Sequence, residues 1–317
     1  MSRDPRSRRT IPVADAVTLG YASMDHFIQV ASYPEMGWKI PFHSLSVMGG
    51  GQAATGAIAL SRWGVRTRYV GRVGGDSTGD RAIEWLIREN VIADSALKTP
   101  GVTSQTAFII VPADCGERTV IWNRHPDLNL RATDLRKEWF DGVRVLFTDG
   151  HELDAAVQAA QWVKSHGGLV VLDAEHIGSA REELLGITDF AVGSEDFGRR
   201  EFSTDDPEET IAILRGYGVA VAGVTLGSRG SIVDWGAGIR RFRAVTVDAV
   251  DTTGAGDIYH AALAYGALQS MPPHKMISFA SVAASLSCRA LGGRSAIPSL
   301  EEIAECLNTE GDMEIEK

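Results

Sequence analysis

Asp251-Thr252-Thr253-Gly254-Ala255-Gly256-Asp257 sets a run of small residues directly against a carboxylate. The segment before it, 242–250, alternates like a half-buried strand. The segment after it, 258–268, carries Ala and Leu at helical spacing, so the glycines fall at a strand-to-helix turn. Gly254 and Gly256 lack side chains and let backbone N–H groups approach an anion, and the start of the helix adds the positive end of its dipole. Asp257, one residue further on, would face the same crevice as a base for an attacking hydroxyl. Phosphoryl transfer needs these two parts side by side, with Gly254, Ala255 and Gly256 as the cradle and Asp257 as proton acceptor. A glycine turn of this kind also arises wherever a tight bend needs positive φ, so its meaning depends on the rest of the chain.

The 317 residues are 44% hydrophobic and 23% charged, which is the composition of a globular chain able to build a large core. The net charge of −10 argues against nucleic acid as a partner, since backbone binding needs clustered Lys and Arg, but it does not exclude a small phosphate ligand. No apolar run reaches the length of a membrane span, about 18 residues or more, and residues 1–9 lack the apolar stretch of a secretory signal. The expectation is a cytoplasmic protein with no membrane partner. Arg3, Arg6, Arg8 and Arg9 read as a solvated tail over residues 1–12, and 311–317 as a second tail. Cys115, Cys288 and Cys306 are too widely spaced for a disulfide framework or a zinc site.

Strand-like and helix-like segments alternate through most of the length, which predicts an α/β fold with a mainly parallel central sheet. Strands are expected at 17–20, 67–73, 143–148, 169–173, 190–192 and 219–225, and helices at 53–63, 79–90, 155–165 and 207–217. Two regions, 29–47 and 103–123, read as strands without intervening helices. They predict a small β-sheet lid over the crevice at the carboxyl ends of the main strands, within a single domain over 13–310. Gly50 and Gly51 open a helix, Asp25 follows a strand end, and Thr225, Gly227 and Gly230 form a turn after an apolar strand. Each is also explained by an ordinary turn or cap.

The order of these motifs resembles the PfkB, or ribokinase, family of sugar and nucleoside kinases, from about residue 17 to 307. The likeness rests on 20–25, on 50–64 with Gly71-Arg72-Val73-Gly74-Gly75-Asp76, on 225–230, on 250–257 and on 283–298. The resemblance implies a three-layer kinase fold and ATP, Mg2+ and K+ as cofactors. It implies Asp257 as base and Gly254, Ala255 and Gly256 as anion hole. Thr225, Gly227, Gly230 and Gly292 would contact ATP, and Asp25, Gly50, Gly51, Thr55, Asn123 and His151 the acceptor. Asp251 and Thr253 match the monovalent-cation loop, and that ion would order the anion hole rather than react. A homodimer through the lid is expected, because exposed sheet edges pair with their copies.

Thr55 stands where many members have an Asn, and Ser194-Glu195-Asp196-Phe197 replaces an Asn-x-x-Glu stretch, leaving Glu195 or Asp196 to help organise an Mg2+ held mainly by ATP phosphates and water. Within the family the chain is similar to sulfofructose kinase in 49–55, in Asp257-x-Tyr259-His260 and in Arg289-x-x-Gly292-Gly293-Arg294. Lys39 falls where that enzyme has a sulfonate-binding Lys. The Asn and Arg that would complete the sulfonate site fall at Trp122 and His151, so a fructose-like ketose, a sulfosugar and a nucleoside all remain as acceptors. A binding protein that has lost catalysis would lack the base or the cradle, and both are intact. An NAD enzyme would need G-x-G-x-x-G after the first strand, which 19–23 does not supply.

Overall fold

Strand β1 (Ala16–Leu19) is buried along its whole length, as suits a short apolar segment in the middle of a parallel sheet covered on both faces. In this computed structural model, which describes residues 11–113, 118–175, 177–178 and 181–315, β1 is flanked by β4 (Thr67–Gly74) and β8 (Val145–Thr148), both parallel to it. The row continues on one side to β5 (Ala96–Thr99). On the other it runs through β9 (Leu169–Ala174), β10 (Phe190–Ser194), β11 (Val221–Thr225), β12 (Ser231–Asp234), β13 (Arg240–Phe242) and β14 (Glu314–Ile315), giving ten strands. From β5 to β11 the strands are parallel, and the last three turn antiparallel.

Side chains alternate across this sheet with the period of two that strands impose. Ala16, Tyr69, Phe147, Val171 and Val192 face one core with α1 (Gln52–Arg62), α2 (Ser77–Arg88), α7 (Ala255–Leu268), α8 (Pro273–Ser287) and α9 (Leu300–Glu310). Val17, Leu19, Val70, Leu146, Val170 and Leu172 face another, with α3 (Leu153–Lys164), α4 (Arg181–Gly186) and α6 (Pro207–Gly216). A one-turn helix, α5 (Glu195–Phe197), follows β10. The predicted strands and helices of this α/β fold are therefore present, with ends moved by a residue or two.

The lid is a separate sheet of four strands: β2 (Ser23–Val30), β3 (Ser44–Gly50), β6 (Thr106–Pro112) and β7 (Thr119–Asn123). It has its own small core of Phe27, Ala107, Ile109 and Val111, against which Met48 and Leu291 pack.

Three expectations are corrected. The first lid segment runs from Ser23 to Gly50 and not from 29 to 47, so Asp25 is a residue of a lid strand and does not belong to a turn after β1; 31–43 is the loop at the tip of the β2–β3 hairpin. Residues 243–249 form no strand, because the ladder stops at Phe242; the alternation arises as Val245 and Val247 pack onto the core while the Val245 N–H donates to Ser285 Oγ of α8 (3.1 Å). The described part of 311–317 is no tail, since Met313 is buried and β14 pairs with β13. The arginine-rich stretch 1–10, Cys115 and residues 316–317 lie outside the described residues.

Candidate active site

Helix α7 starts at Ala255, and its N-cap Gly254 has φ 79°, a left-handed conformation that favours glycine. A Cβ on Gly254 would lie 2.6 Å from Gly293 Cα, so two backbone segments meet here at a distance only paired glycines allow. Asp251, buried behind them, accepts from the Thr253 N–H (3.0 Å) and hydroxyl (2.8 Å) with Oδ1, and from the Gly292 N–H (2.8 Å) with Oδ2. It thereby braces the 251–254 turn against the 292–294 loop. The Ala255 N–H bonds back to Thr252 O at 3.3 Å, whereas the Gly256 and Asp257 N–H groups have no carbonyl a turn earlier in the helix to bond, and Gly256 faces open space. These last two are the donors left for an anion at the helix start.

On one side of this turn lies a cavity of about 340 Å3 lined by Thr225, Gly227, Gly230, Val247, Ala255 and Gly256 among others. Gly230 has φ 89°, and a Cβ there would strike Phe242 O at 1.9 Å, which keeps the loop after β11 flat against the pocket. The mostly small and apolar lining suits a flat base, and the glycine turns suit phosphates. Arg118 of the lid reaches across and donates to Thr252 Oγ1 at 2.6 Å, beside the cradle. Arg118→Ala is expected to raise the nucleotide KM several-fold while leaving the acceptor KM nearly unchanged, measured by steady-state kinetics. A larger cavity, about 570 Å3, lies at the opposite end of the sheet, by the starts of β8 and β9 and the last turn of α7.

On the other side stands Asp25, whose Oδ1 accepts from Ser23 Oγ at 2.7 Å. A Cβ on Gly50 would lie 1.8 Å from Asp25 Oδ2, and one on Gly49 would lie 2.2 Å from Arg294 Nη1. The two glycines make room for these two side chains. Arg294 donates from Nη2 to Gly50 O (2.6 Å) and from Nε to Thr55 Oγ1 (3.2 Å), joining the lid strand, helix α1 and the glycine loop. Gly51 caps α1 with φ 89°. Beyond them His151 stacks on Tyr21 with ring centroids 4.3 Å apart, and Arg124 lies over the Tyr21 ring at 3.9 Å. Gln52 Nε2 donates to Glu175 Oε2 at 2.5 Å, and His151 Nε2 lies 3.5 Å from that oxygen.

Charge is concentrated here. Burial lifts Asp257 well above the ordinary carboxylate range, Asp173 and Glu175 lift it further, and His260 and Arg294 pull it back. The fold thus makes Asp257 a stronger base than a free aspartate, whose carboxyl titrates near 4. Burial lowers Arg294 to about 10 against the pull of Asp25 and Asp257, and the same burial raises Asp25 against Ser23 and Arg294. His151 is raised despite burial by its contact with Glu175 and by Asp149, and Glu175 is lowered by the same contact.

Several expected residues fall elsewhere. Asn123 pairs with Thr106 and Trp122 with Ala107, which in turn pairs with Asp25, so strand alternation puts Trp122 on the Asp25 face and Asn123 on the other. Lys39 is exposed in the loop at the lid tip, whereas Asp25 and Gly50 lie at its base. Gly292 is part of the brace, against Met48 Sδ of the lid, and is not among the residues lining the 340 Å3 cavity. Glu195 Oε1 and Oε2 accept from Arg229 Nη2 at 2.6 and 2.5 Å, so its charge is already matched. Arg294, Asp173, Glu175 and His260 were not singled out as site residues from the sequence. The signal for Arg294 was a lone cation among small residues at 290–296.

The profile of the family described as "pfkB family carbohydrate kinase" matches residues 13–300, nearly the whole chain. The chain belongs to the pfkB family of carbohydrate kinases. It is therefore a phosphotransferase with an alcohol group as acceptor, and its relatives include sugar and nucleoside kinases. The ribokinase of Haemophilus influenzae is 24% identical over 95% of this chain and 99% of its own length. A fructokinase of Escherichia coli is 26% identical over 80% and 90%. Among solved structures, the ribokinase of Thermotoga maritima superposes with a TM-score of 0.80 at 22% identity, covering 93% of this chain and all of that one. The ribokinase-like fold expected from the sequence is the fold observed. No helix among the described residues is long and apolar enough to cross a membrane.

Proposed function

We propose that this pfkB-family kinase transfers the γ-phosphoryl of ATP to a primary hydroxyl of a small neutral sugar, a fructose-like ketose or a close relative. The observation that carries this reading is the position of Asp257. It sits where the cradle ends, with the Ala255- and Gly256-lined cavity on one side and the Asp25–Arg294–Gly50 cluster on the other. ATP in the cavity would present its γ-phosphoryl to the α7 N-terminus. An acceptor held by Asp25 would present a hydroxyl to Asp257, which takes its proton during in-line attack. The amides of 254–256 would stabilise the charged equatorial oxygens.

Magnesium would be held chiefly by the ATP phosphates and water, supplying charge neutralisation, because Glu195 is occupied by Arg229. Potassium would sit beside the turn that Asp251 braces and would stiffen the anion hole.

A sulfosugar is the weaker alternative. Its sulfonate needs an arginine fork or comparable cation, but Arg124 is paired with buried Glu152, Arg294 lies between Asp25 and Asp257, and Lys39 is at the lid tip. Trp122 and the Tyr21–His151 stack offer flat apolar surface that suits a sugar face, and a nucleoside would use the same surface. A silent binding protein would have no use for the retained base. The test is ATP consumption with Mg2+, with and without K+, across ketoses, pentoses, sulfofructose and nucleosides. Turnover with a neutral sugar at the highest kcat/KM is expected, and turnover confined to sulfofructose or to nucleosides would reject this acceptor.

The acid limb of kcat/KM should lie above the ordinary carboxylate range near 4, because Asp257 is raised. Activity is full above the raised value and is lost as pH falls through it; a limb at or below 4 would show that another group is the base.

We also propose that two copies pair through the outer face of the lid. By register, Val47, His26, Phe108 and Ile121 form one row on that face, and Val47, Phe108 and Ile121 are exposed. Phe108→Glu with Ile121→Lys should yield a monomer in light scattering. An unchanged mass would remove the lid as the interface.

A further inference from the structure

His260 lies one turn beyond Asp257 on α7, only 3% exposed. Its Nδ1 is 2.7 Å from Gly256 O and its Nε2 is 2.9 Å from Val192 O of β10. Both partners are carbonyl oxygens and can only accept. A neutral imidazole has one N–H, so it satisfies one carbonyl and turns a lone pair on the other at hydrogen-bonding distance. An imidazolium satisfies both. Its counter-charge is at hand, since Asp173 Oδ1, at the end of β9, stands 3.5 Å from Nδ1.

We propose that His260 is held as an imidazolium by the Val192 and Gly256 carbonyls and Asp173, and that this buried cation is a positioning residue that sets the geometry and basicity of Asp257. The inference rests on the reading of Asp257 as the base. The charged groups next to the ring are Asp257 on α7 itself and Asp173 at the end of β9. Behind them, Glu175 just after β9 and Arg294 from the loop after α8 act on Asp257, and Glu175, with Asp149 and His151 just after β8, acts on Asp173. From β10 the Val192 carbonyl faces the ring, and Phe147 of β8 stacks over it at 6.2 Å. Burial lowers His260 by more than the two carbonyls and Asp257 raise it, and burial lifts Asp173 well above the ordinary carboxylate range. Against that cost stands the geometry: only an imidazolium satisfies both carbonyl acceptors at once, and this places the shared proton on the ring. The cation is then one helical turn from the base, with both its N–H groups engaged by the two carbonyls. There it favours the carboxylate form that catalysis needs without competing for the substrate proton.

Two measurements decide this. In the 15N spectrum of the histidine-labelled wild-type protein at neutral pH, His260, assigned by comparison with His260→Asn, should show both ring nitrogens protonated; a neutral ring would overturn the proposal. In kinetics with the best acceptor, His260→Asn removes a positive charge near the base and should move the acid limb of kcat/KM upward. Asp173→Asn removes a negative charge and should move it downward, each by on the order of one pH unit. Both variants should lower kcat with little change in either KM. A purely structural role would depress turnover in both without moving the limb, and a common direction or no shift would overturn the proposal. If His260→Asn does not fold, assignment of the wild-type spectrum by Asp173→Asn and the limb of that variant still decide. Near-normal turnover of Asp257→Asn would remove the base itself while leaving the spectrum readable, so the two failures are distinguishable.

Discussion

Asp257→Asn is expected to lower kcat by about 10²–10⁴-fold, the usual contribution of a positioned general base, while nucleotide affinity stays within a few-fold of the wild type. Asparagine keeps the shape and loses the proton-accepting oxygen. The cavity that would hold the nucleotide is lined by Ala255 and Gly256 and does not depend on the carboxylate. The same change should raise Tm at neutral pH. Asp257 is raised in the folded protein, so the stability it contributes is fully present below the unfolded value near 4 and is lost as pH rises through the folded value. At pH 7 the wild type holds an unfavourable buried charge that the variant lacks, and the difference in Tm should vanish below about pH 4. Calorimetry at both pH values checks the stability half and single-turnover kinetics the catalytic half. Normal turnover, or a Tm that falls at neutral pH, would contradict the assignment.

Gly254→Ala is expected to be nearly as damaging by a different route. At φ 79° an alanine is strained, and its Cβ would lie 2.6 Å from Gly293 Cα, a backbone atom that cannot swing aside. Strain and overpacking of this kind together cost about 2–5 kcal/mol, so the turn must open. Opening it pulls the α7 N–H groups out of line with the phosphoryl oxygens, and loss of one such donor costs about 10²–10³-fold in kcat. Turnover should fall with a lowered Tm, the reverse of the stability change at Asp257. Gly256→Ala is the control: nothing lies near its would-be Cβ and it sits within the helix, so stability should hold and any loss should come from obstruction of the pocket. Equal stability of the two variants would show that the close approach to Gly293 is unimportant.

The glycine turn at 254–256 and the helix start with Asp257 were legible because they are contiguous, and the helix is long and rich in alanine. The main strands were legible because their side chains are buried in near-continuous runs. The lid was foreseen as a sheet, but its register was not, and a shift of one residue exchanges the faces of a strand. That single step separates Trp122, on the Asp25 face, from the expected Asn123. The place of Lys39 at the lid tip was hidden for a related reason, since a position in sequence does not show whether a hairpin residue lies at the tip or the base. Arg294, Asp173, Glu175 and His260 become neighbours only when strands β8 to β10, α7 and the loop after α8 converge, and no local pattern in the chain announces that meeting.

Asp25 belongs to a lid strand joined to β1 by the short connection 20–22, so whatever grips its carboxylate grips the cover of the site. An acceptor that offers one hydroxyl to Asp257 and another to Asp25 would draw β2 down over the nucleotide and fasten it there. Water can occupy the place of the first hydroxyl but cannot at the same time fasten the second. The enzyme would thus need no separate device to keep ATP from idle hydrolysis: the molecule that closes the site would be the one that accepts the phosphoryl group, and a site empty of acceptor would stay open.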